Sequence, residues 1–330
     1  MTSRFGRPTA GLFVVCLLLA CAQRAHGDGV YVSAYFGEPV AGLDDEVRSS
    51  FDRGQSLFVR RWDQSSTAMR NAESCVSCHS VPMPGGSGMS EQALVPTALG
   101  ETVQRRAPEG HVAEVGPDGV VTRRTPPLFG IGLLEYSRRN NSQKIFGAFA
   151  EIDSLEKFVA RAFAIELGIS SELSCSRSAQ NQDYPKSCTP ILSRRELEDV
   201  VTFVRFLAAP PNRNQTSAIG SKLFSQIGCS SCHVEYRVTS AEAPPALRNK
   251  RFAPFTDLQL HDLGGSTARL RTAPLWGLNS YGPPYLHDGS GNSIEDAIAH
   301  HGGEAKPARH NFSLLEESDK IELIAFLKSL

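Results

Sequence analysis

No charge of either sign prevails in this sequence. Its 34 Lys and Arg face 35 Asp and Glu, a formal net charge of -1. That balance removes the basic field on which nucleic-acid binding depends, so no nucleic-acid partner is expected. Neither a phosphate loop nor a GxGxxG string stands out. Long apolar runs are equally few. One, Ala10–Ala20, is too short to span a bilayer, and nothing after it is apolar enough to do so. Methionine is scarce: Met1, Met69, Met83 and Met89 are the full set, so the second half has no thioether to offer a metal. Strand signals are sparse as well, the clearest being a small hairpin over Val112 to Val121 around Pro117-Asp118-Gly119.

The apolar run follows Arg4 and Arg7, which is the pattern of an export signal. Cleavage after Ala25-His26-Gly27 makes residues 1–27 the signal and Asp28 the first mature residue. The competing site is Leu18-Leu19-Ala20-Cys21, a lipoprotein box with an imperfect Leu19, which would leave Cys21 lipid-anchored after a signal of residues 1–20. Both make the chain an exported, periplasmic protein. Of the eight cysteines, Cys16 and Cys21 lie in the signal, and four form Cys75-Val-Ser-Cys78-His79 and Cys229-Ser-Ser-Cys232-His233. Cys175 and Cys188 remain. Outside the cytosol a structural disulfide closing that small loop is the expectation.

The chain repeats itself. Gly54-x-x-Leu57-Phe58 precedes the first Cys-x-x-Cys-His, and Gly220-x-x-Leu223-Phe224 precedes the second. Arg124-Thr-Pro-Pro-Leu-Phe-Gly130 follows the first, and Arg271-Thr-Ala-Pro-Leu-Trp-Gly277 follows the second. Each half ends in an apolar-periodic helix, one with Val200, Val201, Phe203, Val204 and Leu207 on a face, the other with Leu323, Ile324, Phe326, Leu327 and Leu330. A further helix is expected from Glu151 to Leu167, capped near Asp153-Ser154 and stopped by Gly168. Pro210-Pro211 blocks helix continuation and marks a division. The reading is an all-α protein of two tandem cytochrome c-like domains, residues 28–210 and 211–330.

Cys-x-x-Cys-His is the attachment signal for c-type haem. The thiols bond the haem edge and the histidine ligates iron. A single Cys-x-x-Cys also suits zinc or thiol redox chemistry; two copies with trailing histidines in a duplicated, exported chain point to two covalently bound haems. Cys75, Cys78 and His79 hold one, and Cys229, Cys232 and His233 the other. The second axial ligand decides between electron transfer and chemistry at an open iron. In the second half the candidates are His261, His287, His300, His301 and His310; in the first, Met83, Met89 and His111 could close the iron.

Longer strings carry a family resemblance. Phe255-Thr-Asp-Leu-Gln-Leu-His-Asp-Leu-Gly264, Arg271 to Leu278, Tyr285-Leu-His-Asp-Gly289 followed by His301-Gly-Gly-Glu-Ala305, and Pro127-Leu-Phe-Gly-Ile-Gly-Leu-Leu-Glu135 resemble the dihaem oxidoreductases of peroxidase type. These are related to bacterial dihaem cytochrome c peroxidases and to the methylamine-utilisation dihaem enzymes. The resemblance spans most of residues 45 to 330. It implies a second haem for electron transfer, with the distal ligand fourteen residues after the histidine of the Tyr-x-His-Asp-Gly string, which is His301; His300 is the neighbouring register. It implies a first haem that meets hydrogen peroxide, with an acid-base carboxylate at Glu166 in the helix opened by Ser154-Leu155-Glu156. Where relatives carry a Gln on that helix, this chain has Phe158. It also implies a calcium ion held in part by the carbonyls of Gly282 and Pro284, and a redox protein as electron partner. Trp276 is read as a core residue or an aid to electron passage. A non-enzymatic dihaem electron carrier is the alternative function, and an enzyme that oxidises a partner protein at a distance is a third.

Overall fold

The computed structural model describes residues 31, 33, 35–62, 72–88, 93–96, 102–105, 111–116, 119–138, 140, 143–178, 189–211, 217–264 and 269–330, with backbone alone over 93–123 and 176–178. The expected signal, Cys16, Cys21, Met69, Met89 and Cys188 lie outside them, and so does the side chain of His111.

The chain is mostly helical. Helix α1 (Asp45–Val59) starts at Asp44, whose carboxylate accepts the Val47 N–H. Two hairpins follow, β1 (Ala93–Pro96) with β2 (Thr102–Arg105) and β3 (His111–Gly116) with β4 (Gly119–Arg124). The second is the hairpin expected around Pro117-Asp118-Gly119. Then come α2 (Ile131–Tyr136), α3 (Leu155–Glu166), α4 (Glu172–Ser178) and α5 (Arg194–Phe206). Helix α3 fulfils its sequence signals: the Ser154 hydroxyl accepts the Lys157 N–H, and Gly168 at φ 67° ends it. The second half opens with α6 (Ala218–Gln226). It continues through β5 (Arg237–Val238) paired with β6 (Arg251–Phe252), and β7 (Leu260–His261) paired with β8 (Leu270–Arg271). It ends with α7 (Leu278–Tyr281), α8 (Ile294–Ala299), α9 (Lys306–Ser313) and α10 (Glu317–Ser329).

The sequence repeat is a packing repeat. In the first module α1 crosses α5; in the second α6 crosses α10. A Cβ on Gly54 would stand 1.9 Å from the Asp199 carbonyl oxygen, and one on Gly220 would stand 2.2 Å from the Glu322 carbonyl oxygen. Glycine is therefore what lets each helix pair touch backbone to backbone. The Phe of each Gly-x-x-Leu-Phe then reaches across: Phe58 meets Phe203 with ring centroids 5.1 Å apart, and Phe224 meets Phe326 at 5.5 Å. Each buried ring contributes about 1.5–3 kcal/mol of apolar transfer. The apolar faces predicted at Val200 to Leu207 and Leu323 to Leu330 are the buried faces of α5 and α10. The later string repeats too, because the Gly130 N–H donates to the Leu207 carbonyl and the Gly277 N–H to that of Leu330. Each post-motif segment is thereby tied to the end of its module's last helix.

The cores do not divide at residue 210. Leu223, Phe224, Phe255, Phe326 and their neighbours form a core of the second module. Phe252, Leu258, Trp276 and Tyr281, from the same half of the chain, instead join the larger core of the first. Trp276 is buried, 5.7 Å from Phe252 and wedged against Gly130. It is a core residue where the two modules meet.

Candidate functional site

Both Cys-x-x-Cys-His motifs adopt one local structure. A short 3-10 turn runs over Cys75–Ser77 and over Cys229–Ser231. Each tucks the histidine N–H back onto the first cysteine's carbonyl, at 3.0 Å from His79 to Cys75 and 3.0 Å from His233 to Cys229. The rings are then fixed from behind. His79 Nδ1 lies 3.1 Å from the Gly86 carbonyl oxygen, and His233 Nδ1 lies 3.0 Å from that of Phe255. With Nδ1–H donating, Nε2 keeps its lone pair for a metal. The residue after each acceptor repeats the design. The Ser87 hydroxyl donates to the Thr125 carbonyl at 2.8 Å, and the Thr256 hydroxyl to the Thr272 carbonyl at 2.7 Å. The Arg-Thr strings thus sit where they support the loop that orients each histidine. Sequence reading missed Gly86–Ser87 and Phe255–Thr256 as ring supports. A backbone acceptor leaves no side-chain signature, and these lie at different distances from their histidines.

Burial pushes the His79 and His233 imidazoles down to about 4, so both are neutral at physiological pH, the ligating form. Burial pushes the Cys75 thiol up to about 12 and the Cys229 thiol up to about 11.

The histidine candidates of the second module separate by their hydrogen bonds. His301, partly buried at the end of α8, has Nδ1 2.7 Å from the Ala297 carbonyl oxygen, the same backing as His79 and His233. It also stands close enough to His233 to interact with it electrostatically. His300 is exposed, with Nδ1 on the Asp296 carbonyl. His287 donates or accepts through Nε2 at the Arg271 carbonyl, which being an acceptor makes Nε2 the donor. His310 is exposed. His261 has both ring nitrogens engaged, Nε2 2.8 Å from Asp257 and Nδ1 2.7 Å from Glu304, and Arg269 donates to the other Glu304 oxygen.

That cluster has a pH signature. Burial lowers the His261 pKa, but its hydrogen bonds to Glu304 and Asp257 outweigh burial and raise it overall. The hydrogen bond from His261 takes Glu304 down to about 2, helped by the Asp262 N–H. A raised histidine contributes stability below its unfolded value of 6.5 and loses it as pH rises through the folded value. A depressed carboxylate contributes above its unfolded 4.5 and loses it as pH falls toward about 2. His261→Gln should therefore lower the unfolding temperature most at about pH 5 to 6, and the gap from wild type should narrow in alkaline buffer. Unfolding curves across pH check this; a gap that widens with pH would oppose it.

Around the first motif, α3 positions Glu166. The buried Glu135 carboxylate accepts the Leu155 N–H at the start of α3 and pairs with Arg205 on α5 at 2.8 Å, fixing the helix at its far end. At the near end the Glu166 carbonyl accepts the Ala72 N–H at 3.1 Å, and the Glu166 charge acts on the Cys75 thiol. The structure therefore brings Glu166 beside the first motif. Phe158 stacks on Phe146 with centroids 6.0 Å apart. Met83 packs its thioether against Gly37, in the turn that supplies the Gly86 acceptor. Cys175 is disulfide-bonded.

Among the described residues, two guanidinium groups offer N–H donors to an anionic group. Arg124 and Arg271, repeat equivalents, each keep a buried Nε with no hydrogen-bond partner. Haem carries carboxylates, and buried guanidinium N–H groups without protein acceptors fit such a ligand. The calcium positions fit less well. The Gly282 carbonyl, one of the two implied donors, already accepts Arg124 Nη2 at 3.0 Å.

Comparison with known proteins bears on the second module. No curated protein matches the chain. Among solved structures, a Kuenenia stuttgartiensis hydrazine synthase is similar at TM-score 0.46 and 16% identity, covering 98% of this chain and 100% of that one. A MauG-like protein associated with microbial copper homeostasis is similar at TM-score 0.47 and 18% identity, covering 91% and 94%. Residues 178–330 match the family described as "Di-haem oxidoreductase, putative peroxidase", a span that contains Cys229, Cys232, His233 and His301 and leaves the first motif outside. The resemblance read from the sequence strings is borne out over this span, where the chain matches the di-haem oxidoreductase family.

Proposed function

We propose that the protein is an exported dihaem c-type oxidoreductase of the peroxidase kind. Cys75, Cys78 and His79 would hold one haem, and Cys229, Cys232 and His233 the other. The observation that supports this most is the shared build of the two motifs. In both, a 3-10 turn presents the cysteines and a backbone carbonyl holds the histidine with Nε2 available. Bound there, haem supplies an iron that exchanges electrons and, where one axial position is open, meets a small oxidant such as hydrogen peroxide.

The residues divide the labour. In the second module His301 would supply a second imidazole to the haem iron, which would suit it to electron transfer at a lower potential than a His/Met pair would give. In the first, Glu166 would be the carboxylate that takes a proton from one peroxide oxygen and gives it to the other. Arg271 and Arg124 direct N–H groups at the cofactor's carboxylates. A redox protein outside the cytoplasm supplies or accepts the electrons. Phe158 favours a second reading, a dihaem electron carrier, because the aromatic pair replaces an amide donor.

Intact-protein mass tests the central proposal. Expressed with haem-attachment machinery and exported, the chain should exceed its mature polypeptide by two haems. The same spectrum reads the cleavage site, residue 27 for a free Asp28 or residue 20 for a lipidated Cys21. A gain of one haem or none would overturn covalent attachment at both motifs.

A further inference from the structure

We infer that Arg124 is a built-in cation that replaces calcium between the two modules. The turn over residues 281–287 leads into the His287-Asp288-Gly289 string, and four of its groups face Arg124. Its Nη2 donates to the Gly282 carbonyl at 3.0 Å and lies 3.5 Å from that of Tyr281. Its backbone N–H donates to the His287 carbonyl at 2.7 Å. Its guanidinium stands 5.9 Å from the centre of the Tyr285 ring. Arg124 closes β4, and the next residue, Thr125, carries the carbonyl that Ser87 holds beside the first motif. A cation on the first module therefore grips a carbonyl-bearing turn on the second.

A calcium ion bound through Gly282 would have to share that oxygen with the guanidinium. Calcium takes six to eight oxygens and draws on carboxylates. Among the described residues no group of three or more Asp, Glu, His or Cys gathers as a metal site. The carbonyl that would ligate the ion is spent on a fixed positive charge, and like charge beside it repels a divalent ion in a partly buried place. Burial draws the Arg124 pKa down to about 10, which leaves it protonated at physiological pH. The carbonyls of Gly282 and His287 have their N–H partners in Arg124, and that cation cannot dissociate.

The test uses the haem-loaded full chain. After dialysis from calcium-containing buffer, calcium and iron are measured in the same sample, and thermal unfolding is followed in calcium and in EGTA. We expect well under one calcium per chain and the same unfolding temperature in both buffers. Arg124→Gln keeps a donor and removes the charge, so it should unfold at a lower temperature; Arg124→Lys should lie between it and wild type. One retained calcium per chain, a lower unfolding temperature in EGTA, or an Arg124→Gln protein as stable as wild type would each overturn the inference. Should Arg124→Gln fail to fold, the wild-type calcium content and EGTA comparison still decide. Iron content reports on haem loading separately, so failure of the dihaem reading would not be mistaken for failure of this one.

Discussion

His301→Ala should convert the second haem from low-spin to high-spin while leaving both haems attached. A low-spin haem needs two strong axial ligands, and no methionine lies in the second half of the chain. His233 provides one imidazole from the attachment motif. For the second, an imidazole must have its Nε2 available, its ring oriented, and its charge suppressed. His301 meets all three conditions. Its Nδ1 is backed by the Ala297 carbonyl at 2.7 Å, and burial lowers its pKa, which keeps it neutral. His261 fails the first, since carboxylates hold both its nitrogens. His287 spends Nε2 on the Arg271 carbonyl. His300 and His310 face solvent. The expected effect is loss of the whole low-spin signal of one haem in electronic and electron paramagnetic resonance spectra. His300→Ala should leave that signal unchanged. If His300→Ala abolishes it and His301→Ala does not, the ligand lies one position earlier on the chain.

What could be read from the sequence was whatever rests on side chains at regular spacing. Gly54 and Gly220 were visible because a helix crossing at backbone contact accepts no other residue. The buried faces of α5 and α10 were visible because helical periodicity sorts apolar from polar positions. Ser154 and Gly168 marked α3 because a cap and a left-handed stop each need particular chemistry. Other features rest on backbone groups or on distant pairings and left no such trace. The ring supports at Gly86 and Phe255 are carbonyls, which every residue has. The β1–β2 hairpin was not anticipated. A division at residue 210 followed from Pro210-Pro211, yet Phe252, Leu258, Trp276 and Tyr281 pack into the other module's core. Those contacts are set by tertiary packing, which local composition does not report. The fourteen-residue offset from His287 already singled out His301, and the fold adds which ring nitrogens of His261, His300 and His301 are hydrogen-bonded.

The duplicated architecture gives two motifs of one build with different surroundings, and the proposed roles rest on that difference. The second motif faces another imidazole, His301. The first has a carboxylate, Glu166, close enough to act on the Cys75 thiol. Peroxide cleavage requires a proton to leave one oxygen and arrive at the other, and a carboxylate held at the site can carry it. Glu166 is well placed to be held, because α3 is capped by Ser154 at one end, pinned there by Glu135, and tied to Ala72 at the other. Glu166→Gln keeps the size of the side chain and removes the base. It should slow the peroxide-induced spectral change by about a hundredfold to ten-thousandfold, the usual worth of general acid-base help. Both haems should stay attached, and the unfolding temperature should move little, which separates a proton-transfer role from a structural one. A second readout is the pH profile: wild type should lose rate as the carboxylate protonates in acid, and Glu166→Gln should lack that acid limb. Stopped-flow absorbance against peroxide concentration and pH measures both. An unchanged rate with an unchanged acid limb would remove Glu166 from the reaction. A wild-type protein that shows no peroxide response and a six-coordinate first haem would instead favour the electron-carrier reading that Phe158 already supports.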